Sequence, residues 1–128
     1  MLIILDRDGV INEYDGNYIC SVDEWQPIPG SIEAVARLCK AGHRIAIATN
    51  QSGISRGFYS TDVLGAMHDK LERLLEAQGG RIDFIAYCPH HPDDGCRCRK
   101  PLTGLLEQIR DHLHLDTLNG AMMVGDSR

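Results

Sequence analysis

The sequence predicts a three-layer α/β domain, a Rossmann-like parallel sheet with helices on both faces. Three observations lead to it. Short apolar runs alternate along the chain with stretches whose apolar residues recur at helical spacing. Alternation of strand and helix favours parallel strands joined by helical crossovers. The polar, chemistry-bearing clusters then fall where the apolar runs end, the rim at which parallel sheets collect their functional groups.

The elements are taken in chain order. Leu2 to Leu5 is a continuous apolar run ended by charge at Asp6, as expected of a strand buried on both faces. Residues 13–30 are a polar excursion rich in Asp, Gly and Pro. Ile32, Val35, Leu38 and Cys39 repeat at helical spacing, and Gly42 stands where that helix stops. Arg44 to Thr49 reads as the second strand. Thr61 is placed to cap a long helix with Leu64, Met67, Leu71, Leu74 and Leu75 on its apolar face, ending at Gly79-Gly80. Phe84 to Tyr87 is the third strand, and residues 88–101 form a loop with hardly an aliphatic side chain. Thr103 is placed to cap a helix carrying Leu106, Ile109 and Leu113, and Ala121 to Val124 is the fourth strand.

Length and composition bound the rest. The chain has 128 residues and 14.2 kDa, one domain's worth, so residues 1–128 are expected to be a single domain. A chain of that size buries roughly two thirds of its unfolded surface and can fold without disulfides. The net charge of −5 argues against a duplex-coating protein, so no nucleic-acid partner is expected. No apolar run approaches the roughly 20 residues of a membrane span, and the N-terminus lacks the pattern of a signal peptide. A cytoplasmic protein with no membrane partner is the expectation.

Four strand ends each present a constellation. Asp6 and Asp8 stand two apart where the first strand runs out, and two carboxylates that close need a cation or a proton to coexist. Magnesium on oxygen ligands answers that need, and one carboxylate can then act as nucleophile while the other shuttles a proton. Alone, Asp-x-Asp-Gly is a weak motif, and a solvated turn is the better reading of it. Thr49-Asn50-Gln51-Ser52-Gly53 offers a hydroxyl, amides and backbone N–H groups suited to phosphate, or simply a polar turn. Arg56 comes next in a loop and either holds a distal part of a substrate or lies on the surface. Arg99-Lys100 sits between a cysteine cluster and a helix start, where lysine can neutralise a phosphoryl group and arginine offers a planar fork. Asp126, after Gly125, would face Asp6 and complete a metal site if the fourth strand lies beside the first.

Cys88, His90, Cys96 and Cys98 supply three thiolates and an imidazole within one loop that has no apolar anchor. A structural zinc ion would order such a loop and hold Arg99 and Lys100 in place. A redox pair at Cys96 and Cys98, or plain reduced thiols, are the rival readings. Cys20 and Cys39 read as ordinary thiols and Met67 as core. Trp25 reads as packed on the core. His43, His68, His112 and His114 lack partners at ligand spacing, and His91 adjoins a set already closed.

Leu5-Asp6-Arg7-Asp8-Gly9, Thr49-Asn50-Gln51-Ser52-Gly53, Arg99-Lys100-Pro101 and Val124-Gly125-Asp126 together resemble the four motifs of the haloacid dehalogenase superfamily of phosphatases. Within it, the motifs are most similar to those of zinc-containing phosphatases that act on a heptose bisphosphate. The resemblance implies Asp6 as the nucleophile that forms an aspartyl-phosphate and Asp8 as general acid, then base. It implies magnesium on Asp6, the backbone carbonyl of Asp8, and Asp126. Thr49 and Lys100 would hold the phosphoryl group, and Arg99 would recognise the sugar. Tyr14, Asp15, Gly16 and Asn17, with Asn50, Gln51 and Ser52, would line the substrate site. The same four zinc ligands occur in that group.

The runner-up is a histidinol-phosphate phosphatase, against which Ser52 and Arg56 speak. A third reading is an inactive zinc-stabilised fragment that binds a ligand. The resemblance also implies a further strand–helix unit after Arg128. The expectation is therefore a chain short of its C-terminal unit, monomeric when complete, with association open to it through an uncovered sheet edge.

Overall fold

The computed structural model describes residues 1–14, 16, 19–51, 53–90, 104–113, 115 and 120–125. Strand β1 (Leu2–Leu5) lies at the centre of the sheet, with all four residues buried. It pairs in parallel on one side with β2 (Arg44–Asn50), in the register Leu2↔Arg44 to Leu5↔Ile47. On the other side it pairs with β4 (Met122–Val124), from Ile3↔Met122 to Leu5↔Val124. Strand β3 (Phe84–Cys88) pairs with the far side of β2, so the order is β3-β2-β1-β4, all parallel. Strands β2 and β3 each run one residue further than the sequence suggests, because Asn50↔Cys88 continues their register.

The period-two alternation of side chains divides the core into two halves. Ile3, Leu5, Ile45 and Ile47 face helices α1 (Ser31–Lys40) and α2 (Thr61–Ala77), meeting Ile32, Val35, Leu64, Met67, Leu71 and Leu75. Leu2, Ile4, Ala46, Ala48 and Ala86 face the opposite way and meet Leu105, Ile109 and Leu113 of helix α3 (Gly104–His112) and its end. These are the expected three layers. Isoleucines of β2 fill the face under two helices, whereas alanines at the intervening positions line the face under one.

Helix α1 begins after Gly30, whose φ of 86° places it in the left-handed region that glycine adopts without penalty. Helix α2 is capped by Ser60, not Thr61. Ser60 is extended and its hydroxyl accepts the Val63 N–H at 3.2 Å, while Thr61 is already helical. The expected Thr103 cap of α3 lies outside the described residues. The 13–30 excursion is pinned to α2: Lys70 donates to the carbonyls of Val22 at 3.1 Å and Trp25 at 2.7 Å. Trp25 itself is fully buried in the core. Strand β4 starts at Met122 rather than Ala121, and Met122, Met123 and Val124 are exposed where β4 forms an edge of the described sheet.

Gly80 marks a close approach after α2. A Cβ there would meet the Ala36 Cα at 3.0 Å, the Ala36 Cβ at 3.2 Å and Leu75 Cδ2 at 3.3 Å. Alanine at 80 gains about 0.4–1 kcal/mol from a less free unfolded chain. Overpacking against a helix backbone costs about 1–3 kcal/mol, so it wins. Gly80→Ala is expected to destabilise the fold by about 1–2 kcal/mol in urea unfolding, with the denaturant slope unchanged.

Candidate active site

The carboxyl ends of β1, β2, β3 and β4 deliver Asp6, Thr49 to Gln51, Cys88 and Gly125 to one rim of the sheet. Asp6 is locked there by its backbone. Its N–H donates to the Val124 carbonyl at 2.9 Å, and its Oδ1 accepts the Arg7 N–H at 2.9 Å. Gly125 runs beside the same carboxylate: a Cβ at 125 would stand 3.7 Å from the Asp6 Cβ and 4.0 Å from Oδ2. The fourth strand does lie beside the first, and its parallel register brings the chain leading to position 126 next to Asp6. Asp126 itself lies outside the described residues. A cavity of about 230 Å³ opens beside Asp6, lined also by Ala48, Met123 and Gly125.

After Asp6 the chain turns sharply. The Arg7 carbonyl accepts the N–H groups of Val10, Ile11 and Asn12, and Gly9 supplies the positive φ of 82° that the turn needs. This geometry buries Arg7 completely and leaves Asp8 partly exposed. The two form a close ion pair, with Arg7 Nε at 2.8 Å and Nη2 at 2.7 Å from Asp8 Oδ1. Arg7 thus offsets the charge of the Asp8 carboxylate beside Asp6.

Thr49 and Gln51 are buried at the end of β2. Gln51 uses its whole amide on protein partners. Its Nε2 donates to Thr49 Oγ1 at 2.8 Å and to Asp8 Oδ2 at 3.3 Å, and its Oε1 accepts from Tyr59 at 2.6 Å and from Arg7 at 3.4 Å. A side chain so engaged and 3% exposed has no amide group left for substrate, which changes the role expected of it. Thr49 accepts through its oxygen and keeps its hydroxyl hydrogen for another acceptor. Asn50 is half-buried, whereas Tyr14, Gly16 and Arg56 are exposed. Asp15, Asn17, Ser52, Arg99 and Lys100 lie outside the described residues.

Of the expected zinc ligands, Cys88 and His90 are described. Cys88 is buried at the end of β3, and its Sγ stands 3.4 Å from His90 Nδ1. A thiol and an imidazole nitrogen converging at that distance fit two corners of a tetrahedral zinc site. Cys96 and Cys98 lie outside the described residues, among which no group of three metal-ligating side chains occurs. For magnesium, the Asp6 carboxylate is a hard anionic oxygen donor flanked by a glycine, which suits a small divalent cation.

Two further residues adjoin this site: His68, which the sequence reads as lacking partners at ligand spacing, and Tyr59, which the sequence does not single out. His68 is buried on α2, and its Nε2 stands 3.3 Å from Arg7 Nη1. Tyr59, in the loop before α2, is buried against Gln51. A signal for His68 exists in the sequence: it falls on the helix stripe Leu64, Met67, Leu71 and Leu75, where a polar residue must find a partner.

The model of the polynucleotide kinase 3 phosphatase family matches residues 2–128. The chain belongs to that family. Among curated relatives, a Pseudomonas aeruginosa protein is 59% identical over 126 residues, which span 98% of this chain and 70% of that protein. A Pseudomonas putida protein is 54% identical over 127 residues, 99% of this chain and 72% of that one. Both are named D-glycero-beta-D-manno-heptose-1,7-bisphosphate 7-phosphatase. The crystal structure of the D,D-heptose 1,7-bisphosphate phosphatase of B. bronchiseptica, complexed with magnesium and phosphate, superposes with a TM-score of 0.93 at 51% identity. The match covers 98% of this chain and 70% of that one. A Mesorhizobium loti protein described as a had-like phosphatase superposes with a TM-score of 0.85 at 32% identity, over 98% of this chain and 62% of that one. The haloacid dehalogenase resemblance of the four motifs therefore holds for the fold, and the chain spans about 70% of the length of the heptose phosphatases it matches.

Burial, with the Arg7 guanidinium beside it, lowers the His68 pKa from 6.5 to about 3, and the Asp8 carboxylate opposes the shift only in part. His68 is therefore neutral when folded and takes up a proton on unfolding below about pH 6.5. Its contribution to stability is complete above that pH and is lost as pH falls toward 3. Between pH 7 and pH 5 this group is expected to remove about 2 kcal/mol of stability. Urea unfolding of the wild type and of His68→Gln at both pH values checks this, since the variant should lack that component.

Proposed function

We propose that the protein is a magnesium-dependent phosphatase that removes the 7-phosphate of D-glycero-D-manno-heptose 1,7-bisphosphate through an aspartyl-phosphate. The observation that carries the reading is Asp6, held by backbone at the end of the central strand with Asp8 tethered two residues on. Residues 1–128 would act as one phosphatase domain. The names of the relatives at 54–59% identity supply the substrate. The reaction belongs in heptose supply for lipopolysaccharide core precursors, in the cytoplasm, with a monomeric enzyme and no nucleic acid or membrane partner.

In the first step an Asp6 carboxylate oxygen attacks phosphorus in line, forming the aspartyl–phosphate bond as the bond to the sugar oxygen breaks. Asp8 gives its proton to that departing oxygen. In the second step water attacks the same phosphorus, Asp8 takes its proton, and Asp6 is released with inorganic phosphate. Magnesium, held by Asp6, the Asp8 carbonyl and Asp126, would offset charge on the phosphoryl oxygens. Thr49, through its remaining hydroxyl hydrogen, and Lys100 would hold those oxygens. Arg99, Arg56, Asn50, Ser52 and the Tyr14, Asp15, Gly16 and Asn17 segment would face the sugar and its second phosphate.

Zinc on Cys88, His90, Cys96 and Cys98 would be structural, ordering the loop that carries Arg99 and Lys100. The convergence of Cys88 and His90 supports it. Zinc analysis should find one ion per chain, and Cys96→Ala should lose both zinc and thermal stability. Full stability and activity in that variant would exclude the structural role.

Phosphate release in magnesium buffer decides the substrate. Heptose 1,7-bisphosphate should be preferred over fructose 1,6-bisphosphate, histidinol phosphate and a 3′-phosphorylated oligonucleotide. Asp6→Asn should lower kcat by at least about 10³-fold. Preference for histidinol phosphate would replace the substrate assignment, and release from none would favour a binding role.

A further inference from the structure

The buried side chains behind Asp8 form a closed set of hydrogen bonds. Arg7 has five N–H groups and no acceptor. Nε donates to Asp8 Oδ1 at 2.8 Å, Nη2 stands 2.7 Å from the same oxygen as an ion-pair contact, and an Nη2 hydrogen meets Gln51 Oε1 at 3.4 Å. The two Nη1 hydrogens meet His68 Nε2 at 3.3 Å and Met67 Sδ at 3.8 Å. Because arginine only donates, His68 Nε2 must accept, so the imidazole is neutral with its proton on Nδ1. Gln51 is equally committed, and its amide orientation is set by the Tyr59 hydroxyl at 2.6 Å.

Asp8 stands at the front of this set and its two oxygens are treated unequally. Oδ1 accepts from Arg7 Nε and from Asn12 Nδ2 at 3.1 Å, and has the Arg7 Nη2 2.7 Å away. Oδ2 accepts from Gln51 Nε2 at a longer 3.3 Å. A proton on Oδ1 would meet two donors and the Arg7 cation, whereas Oδ2 accepts from Gln51 alone.

We propose that Arg7, Gln51, Tyr59 and His68 are positioning residues that clamp Asp8 by Oδ1 and make Oδ2 the oxygen that exchanges protons with the leaving group and with water. The clamp's role rests on the phosphatase reading and deepens it. His68 secures the far side of the guanidinium, and Tyr59 secures the amide that holds Oδ2. Arginine is required at position 7, because lysine has no planar fork to span Asp8, Gln51 and His68 together.

Leaving-group chemistry separates this role from a merely structural one. A sugar alkoxide needs a proton as it departs, whereas p-nitrophenolate does not. General acid–base help is worth about 10²–10⁴-fold, and partial misplacement forfeits part of it. His68→Leu and Tyr59→Phe should each lower kcat/KM for the sugar bisphosphate by about 10–100-fold, mostly in kcat, but for p-nitrophenyl phosphate by less than about 3-fold. His68→Gln, a neutral acceptor, should restore most of the loss.

Equal loss on both substrates, or no loss on either, overturns the proposal. Should His68→Leu fail to fold, Tyr59→Phe, which keeps the ring and removes one hydroxyl, decides alone by the same ratio. A wild type inert toward the heptose bisphosphate overturns the substrate assignment instead, and the ratio is then read with another alkyl phosphate that it hydrolyses. A wild type inert toward every phosphomonoester overturns both.

Discussion

A guanidinium taken fully out of water needs a carboxylate and an acceptor for each remaining hydrogen. Arg7 meets both conditions, and the arrangement around it depends on them. The carboxylate is the next residue, so the turn at Gly9 must bring Asp8 back over the guanidinium. The acceptors come from the end of β2 and from α2, so those elements must stand at fixed heights relative to the end of β1. Removing a member would leave a buried donor or acceptor short of a partner, which is costlier than the loss of a single surface contact. The set therefore ties local turn geometry to packing of the sheet face under α1 and α2.

The other face has a different character. Ala46, Ala48 and Ala86 present small side chains to α3, and beside Asp6 the same face opens into a cavity bordered by Met123 and Gly125. One face of β1 and β2 thus ends in the buried, hydrogen-bonded side chains around Arg7. The end of β4 approaches the Asp6 carboxylate from the opposite edge. The central position of β1 lets a single strand serve both, because Asp6 and Asp8 leave it in succession and meet different neighbours.

Much of this is legible in the sequence because it obeys short-range rules. A continuous apolar run such as Leu2 to Leu5 suits only a strand covered on both faces, and helical spacing from Leu64 to Leu75 defines α2. The convergence of Asp6, Thr49 and Gly125 comes from parallel order alone. The clamp is not legible, because it depends on pairs far apart in the chain. Arg7 and His68 are separated by 61 residues, and no local pattern registers one against the other. Gln51 looks like a substrate contact since it succeeds Thr49 and Asn50, yet the end of β2 turns its side chain inward to Tyr59 and Asp8. The single-residue difference at the α2 cap arises because Ser60 and Thr61 are both hydroxyl residues, and only backbone extension at Ser60 tells them apart.

The side-chain clamp also has an order in time. Every member lies between Arg7 and His68, whereas β4 does not begin until Met122. During synthesis from the N-terminus, the strands and helix that hold Asp8 emerge well before the strand that approaches Asp6 from the other side. The side chains around Asp8 can therefore close on the ribosome around β1, β2 and α2, whereas the Asp6 side of the rim waits for β4.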